Sequence, residues 1–338
     1  MRSKIRIIGS TPTRNLGEPG AEFILRFQEA ALWADRAGWR AALIYTSNNA
    51  LDPWLLAQLL IERTKRLRPL VAVQPAYSHP FTVANQVATL SALYNRGVDL
   101  NFVAGDHPRD RAALGDDLEH DDRYERLGEH AAIVSELLAS PRPVSRAGEH
   151  YRVSNLQLVQ RPSIETRTDL LMSGSSEAAL RTARKIGACA IQYPGPPSAL
   201  AASCDGASGD RGVRLGIIAR PKSADAWEAA RQRYPIDADG AELREYASQV
   251  SDSKWVRALQ AAEETVGVYW LAPFRNFHRA CPYLVGDYDE VRTALKAYFE
   301  AGYRTFLVDS VEGADEAFGI TELFASVADL EHADQAAE

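Results

Sequence analysis

"DLLMSGSSEAAL" (169–180) decides the fold class. Three apolar residues, Leu170 to Met172, stop at Ser173, Gly174, Ser175 and Ser176, and a helical pattern begins at once. This is a buried strand running directly into a helix. Continuous rather than alternating apolarity means that both faces of the strand are covered, as in a parallel sheet. The same succession recurs along the chain. "KIRIIG" (4–9) precedes "EFILRFQEAALWADRAGW" (22–39), and "AALIYT" (41–46) precedes "DPWLLAQLLIERT" (52–64), with Asp52 as cap and Pro53 at the first helical position. "LRPLVAVQP", "DLNFVAG", "ACAIQYPG", "VRLGIIAR" and "RTFLVDS" bring the strands to eight, each with a helical partner. Eight βα units in 338 residues fit an α/β fold of the (β/α)8 TIM-barrel type better than an open doubly wound sheet. No GxGxxG follows the first strand, which weakens the dinucleotide-binding alternative further.

Residues 1–338 therefore read as a single barrel domain with two insertions. "GEHYRVSNLQLVQRP" (148–162) has the pattern of a hairpin. Residues 235–283 end in "VGVYWLAPFRNFHRACPY", aromatic and basic together, and read either as a lid or as an aromatic satellite core with solvated arginines. "SCDGASGDRG" (203–212) reads as a surface loop, and the polar tail after Leu330 as frayed. With 38 basic against 45 acidic side chains, the net charge of −7 argues against a nucleic-acid partner. No apolar run is long enough to span a bilayer, and the start, "MRSKIRIIGS", reads as a strand rather than a leader. Cys189, Cys204 and Cys281 are scattered, so neither a disulfide framework nor a metal site is expected. A cytoplasmic location is the expectation.

In a barrel, function sits at the carboxyl ends of the strands. Those ends carry amides, hydroxyls, small residues and arginines, among them Asn48, His79, His107, Ser173 to Ser176, Tyr193 and Arg214. Paired carboxylates and HExxH are missing. Such a surface suits a large polar ligand, with a cofactor supplying the reactivity. Ser175 and Ser176 stand where a helix N-terminus meets a strand end, where free N–H groups favour a phosphate; a plain serine cap is the other reading. His79 likewise reads as a substrate contact or as the cap of the helix after it.

The segments "SHPFTVANQVATLSALYNRGVDLNFVAG", "LEHDDRYERLGEH", "MSGSSEAALRTARKIGACAIQYPGPP" and "LVGDYDEVRTALKAYFEAGYRTFLV" resemble the bacterial luciferase-like flavin monooxygenases, and within them the alkanesulfonate monooxygenase branch. The "HDDRYE" and "SGSS" pair is the more specific part. The resemblance implies a TIM-like barrel using reduced FMN and O2, with a separate NAD(P)H:flavin reductase. It implies that Tyr124, Gly174, Ser175 and Ser176 hold the FMN phosphate and that Asn101 and Ala104 lie beside the flavin ring. Arg214 then serves catalysis, with Arg275 and Arg279 as candidates from the mobile loop; Asn48, His79 and Tyr193 are substrate candidates. It also implies a homodimer or homotetramer, formed through helices bearing Trp33, Trp54 and Leu93, and a strained or cis peptide near Ala76, Tyr77 or Ser78.

Departures from the family pattern fall on the substrate pocket. Ala50 stands where the sulfonate enzymes have cysteine, and Gly216 where they have the histidine of Arg-x-His. Tyr193 replaces a tryptophan and Val311 a tyrosine. A deazaflavin- or FMN-dependent oxidase or dehydrogenase and a non-catalytic flavin-binding relative are the alternatives on the same fold.

Overall fold

The computed structural model describes residues 5–105, 108–200, 210–251 and 253–336. His107 and residues 203–209 of the expected loop lie outside them. The strands are β1 (Arg6–Ser10), β2 (Ala41–Ile44), β3 (Arg68–Val73), β4 (Asp99–Phe102), β5 (Val144–Ala147), β6 (Arg152–Leu156) and β7 (Leu170–Ser173). They continue with β8 (Cys189–Gln192), β9 (Arg211–Arg220), β10 (Thr265–Val266), β11 (Tyr269–Trp270), β12 (Tyr283–Asp287) and β13 (Thr305–Val308). The eight strands read from the sequence are β1–β4, β7–β9 and β13, and their pairing order is that of a (β/α)8 barrel. The chain divides into two compact units.

One unit comprises Thr11–Asp35 and Arg40–Ala190. In it β2, β3, β4 and β7 pair in parallel register, Leu70 opposite Asp99 and Asn101 opposite Leu171. Local chemistry starts each helix. Asp52 Oδ1 accepts from the Trp54 and Leu55 N–H groups, and His79 Nδ1 accepts from Phe81 N at 3.2 Å with Pro80 at the first helical position. The peptide bonds at Ala76, Tyr77 and Ser78 are trans and none of the three has positive φ. The expected strain is absent because a turn closed by Tyr77 N to Gln74 O reverses the chain. The hairpin is β5–β6, so it starts at Val144 and 148–151 is its turn. Glu129 fixes that turn by accepting from the backbone N–H groups of Glu149, His150 and Tyr151.

The other unit comprises Met1–Ser10, Arg36–Trp39 and Ile191–Glu338. Its long strand β9 pairs in parallel with β13 through Gly212–Leu215 and with β12 through Gly216–Arg220. The segment read as a lid or a satellite core extends the sheet. β10, β11 and β12 are antiparallel neighbours, and Tyr269, Trp270 and Phe274 are buried. Tyr269, Trp270, Phe274 and Tyr283 are therefore core while Phe277 stays exposed, and Trp270 packs with Ile218, Tyr234 and Tyr283 in one cluster. Periodicity cannot separate a covered sheet extension from a loop that closes over a ligand, since both bury aromatic faces. Among the described residues no helix is long and apolar enough to cross a membrane.

Candidate active site

At the β7 end, the four small residues have separate tasks. Ser176 caps the helix Glu177–Ile186, its Oγ accepting from Ala179 N at 3.2 Å. Ser175 Oγ is buried and has no protein partner. Gly174, at φ +156°, admits no side chain, because a Cβ there would lie 2.7 Å from both Tyr124 Oη and Ala179 Cβ. The Tyr124 hydroxyl thus sits against the backbone just before the two serines. Ser173 Oγ donates to Asn101 Oδ1 at 3.0 Å, which anchors this turn to β4. A buried hydroxyl without a partner costs free energy unless a ligand satisfies it. With the N–H groups of a helix start and a nearby phenol, the donor set matches a phosphate. The residues present fit a phosphate-bearing flavin.

Beyond β2 and β3 in the same unit lies a pocket of about 560 Å³ lined by Asn48, Gln74, Tyr77, Ser78, Thr82 and Gln86 among others. Asn48 is fixed there, accepting from Tyr77 Oη and donating to Asp110 O at 3.0 Å. His130 braces the wall. It is fully buried, its Nε2 lies 3.1 Å from Ser78 O, and burial pulls its pKa down to about 4. Tyr151, from the hairpin turn, packs its ring on both His79 and His130.

In the other unit, β9 and β13 bring Arg214 against Asp309 at 2.8 Å. Arg279 approaches the same carboxylate at 3.8 Å, and Tyr283 Oη donates to it at 3.2 Å. Tyr283 and Tyr234 share a hydrogen bond of 2.7 Å, and Arg279 Nε donates to Tyr234 Oη at 3.1 Å. Burial pushes the Asp309 carboxyl up, but Arg214 and Arg279 outweigh it and hold the group below its ordinary range. Burial drives the Tyr283 phenol and the neighbouring Cys281 thiol well above theirs. The site holds two cations and one anion among neutral phenols, a setting able to stabilise negative charge developing on a substrate.

A family model described as luciferase-like monooxygenase matches residues 5–305. The chain belongs to this family. It is accordingly a flavin-dependent oxidoreductase of (β/α)8 architecture. The chain is 30% identical, over 92% of its length and 94% of the relative's, to BtrO of Niallia circulans, a 4-(γ-L-glutamylamino)butanoyl-[BtrI acyl-carrier protein] monooxygenase. Monooxygenase RslO1 from Streptomyces bottropensis superposes with a TM-score of 0.67 at 20% identity, covering 97% of this chain and 99% of that one. The long-chain alkane monooxygenase LadA superposes with a TM-score of 0.74 at 16% identity, covering 99% and 92%. Solved structures of this fold carry FMN in one case and F420 in another.

Within this luciferase-like chain the candidates read from the sequence separate into groups. Tyr124, Gly174, Ser175 and Ser176 come together, with Asn101 buried beside them and Ala104 buried at the end of β4. Arg214, Arg279 and Tyr193 also come together, Arg214 Nη1 reaching Tyr193 Oη at 3.5 Å. Arg275 does not join them: its guanidinium donates to the carbonyls of Gln260 and Ala262 and faces Glu264 at 3.6 Å, so it supports that loop. His79 is the helix cap. Asp309 was legible as a strand-end residue, and sequence reasoning missed Tyr234, Tyr283 and Trp255. Gly216 was the available signal, since a Cβ there would strike the Tyr283 ring at 2.2 Å. The tyrosine thus occupies the space beside the position where the sulfonate enzymes' histidine would project. Trp255 stacks on Tyr193 at 3.6 Å between ring centroids, supplying the indole that the strand end itself lacks.

Proposed function

We propose that this protein is an FMN-dependent monooxygenase that receives reduced flavin from a separate NAD(P)H:flavin reductase and oxygenates a small organic substrate. The observation that carries the reading is the buried, unpartnered Ser175 hydroxyl beside Gly174 at a helix start. Tyr124, Ser175 and the backbone N–H groups around Ser176 bind the phosphate, and Asn101 and Ala104 line the flavin ring. Reduced flavin supplies the two electrons with which O2 yields one oxygen atom to the product and one to water. Arg214, assisted by Arg279, holds negative charge on the reacting partner, and the buried aromatic surroundings exclude water. Asn48, Tyr193 and the pocket of about 560 Å³ belong to substrate recognition. The lost cysteine and histidine positions argue against an alkanesulfonate as the substrate. The carrier-bound amide substrate named for BtrO makes a polar acyl compound, free or on a carrier, the better class to screen. Self-association into a homodimer or homotetramer through the helices carrying Trp33, Trp54 and Leu93 completes the reading, Leu93 being 70% exposed.

The test is equilibrium dialysis with FMN and with F420, followed by O2 uptake with whichever binds, reduced. Ser175→Ala should weaken FMN binding by about 1–2 kcal/mol, since a hydrogen bond to a charged group is lost. F420 binding without FMN binding, or reduced FMN that binds and consumes no O2, overturns the proposal.

A further inference from the structure

Arg244 lies on the helix Ala238–Val250 and is buried, at 9% exposure. Its neighbours one turn away on that helix are Gly240, Ala241, Ala247 and Ser248, none of them acidic. Its donated hydrogen bonds go to backbone carbonyls, from Nε to Phe274 O at 2.8 Å and from Nη2 to Arg279 O at 3.1 Å. Two rings sandwich the guanidinium, Phe274 at 4.2 Å and Phe277 at 4.4 Å. Phe277 is held at φ +59°, in the left-handed region that a bulky residue avoids, while its ring lies 44% exposed. Gly240 makes the docking possible, because a Cβ there would strike Asn276 O at 2.2 Å. A buried guanidinium normally has a carboxylate partner. This one has aromatic faces and carbonyls, with burial drawing its pKa down to about 10.

Arg244 also belongs to a closed circuit of contacts. Arg214 meets Tyr193, Tyr193 stacks on Trp255, and Trp255 packs on Phe274 at 5.9 Å. Phe274 faces Arg244, Arg244 bonds the Arg279 carbonyl, Arg279 faces Asp309, and Asp309 returns to Arg214. The circuit contains three guanidinium groups and one carboxylate. Its other members are aromatic rings, which keep a planar or apolar chain dry but neutralise no charge.

We propose that this circuit is the receptor for an oxoanion at the end of an otherwise apolar or amide-bearing substrate, with Arg244 as its anchoring cation and Trp255 as the wall beside it. A guanidinium already fixed by two rings and two carbonyls loses little rotamer freedom on binding, which suits planar recognition of a carboxylate, sulfonate or phosphate. Phe277 holds its costly backbone conformation because that places the second ring over Arg244. That the anion belongs to the substrate rests on the function proposed above; that an anion binds does not, and flavin affinity is measured separately.

The experiment adds sodium hexanoate, hexanesulfonate, hexyl phosphate or neutral hexan-1-ol to the flavin-free protein, following melting temperature and tryptophan fluorescence. At least one anion should raise the melting temperature with concentration and quench the fluorescence, while hexan-1-ol does neither. The best of the three names the head group. Trp255→Phe should remove most of the quench. Arg244→Lys, which keeps the charge and loses the planar fork, should bind the anions more weakly than wild type and Arg244→Met more weakly by about tenfold or more, with FMN affinity unchanged in both. Equal effects of hexan-1-ol and the anions overturn the proposal, as does a folded Arg244→Met that binds the anions as wild type does. Undiminished quenching in Trp255→Phe overturns it without relying on any arginine variant.

Discussion

The turn at Gly174–Ser176 and the cluster around Asp309, both proposed above to meet negative charge on a ligand, are made in opposite ways. The first is a run of consecutive residues whose donors come from a helix start, so its chemistry is mostly backbone. The second is assembled from β9, β12, β13 and segments distant in sequence, and its chemistry is a buried carboxylate paired with the mostly buried Arg214 and the partly exposed Arg279. A backbone site costs little stability when a side chain is removed. A buried ion cluster costs much, because each remaining charge is left without its partner.

Removing the carboxylate should break the comparison most visibly. Asp309→Asn leaves two guanidinium groups facing each other and should destabilise the fold by about 3–5 kcal/mol in urea denaturation. A loss under about 1 kcal/mol would mean that water reaches the cluster and that it is not a buried pair.

The two units should also differ with pH. His130 is held neutral in the folded unit, its pKa drawn down to about 4 by burial. A lowered histidine pKa gives stability that is present above the unfolded value, about 6.5, and lost as pH falls toward the folded one. Between those limits wild type should lose roughly 3 kcal/mol through this residue, and His130→Gln should lack that part of the slope. Asp309, lowered from 3.8, contributes only below that range. Parallel stability profiles for wild type and His130→Gln from pH 7 to 4 would remove His130 as the acid-sensitive group.

The smallest effect sharpens the contrast within the turn itself. Ser176→Ala removes a helix cap and should cost about 1 kcal/mol of stability. Ser175→Ala should leave stability unchanged and weaken only the flavin, since its hydroxyl bonds nothing in the protein. If both variants lose the same stability, the two serines do not divide the work between cap and ligand.

Much of this was readable in the chain. Asp52-Pro53, His79-Pro80 and Ser176 mark helix starts by their own hydrogen bonds, and each is found capping. The aromatic segment 266–283 left lid and satellite core both open, because composition does not report burial; Tyr269, Trp270 and Phe274 are buried. Arg275 and Arg279 are indistinguishable in sequence, yet one props residues 260–264 and the other faces Asp309. The replacement of a strand-end tryptophan by Tyr193 and of a histidine by Gly216 read as losses. Trp255 and Tyr283 fill beside them from elsewhere.

The eight βα units, the helix starts and the serine-glycine turn are written locally in the chain, because apolar runs, caps and backbone freedom act between residues a few positions apart. Only the tertiary structure decided which cations face Asp309, which ring covers Gly216 and why Arg244 lies buried without an acid. A charge or ring in the interior is defined by what desolvates it and what faces it. Those neighbours arrive from strands and helices that share no local pattern.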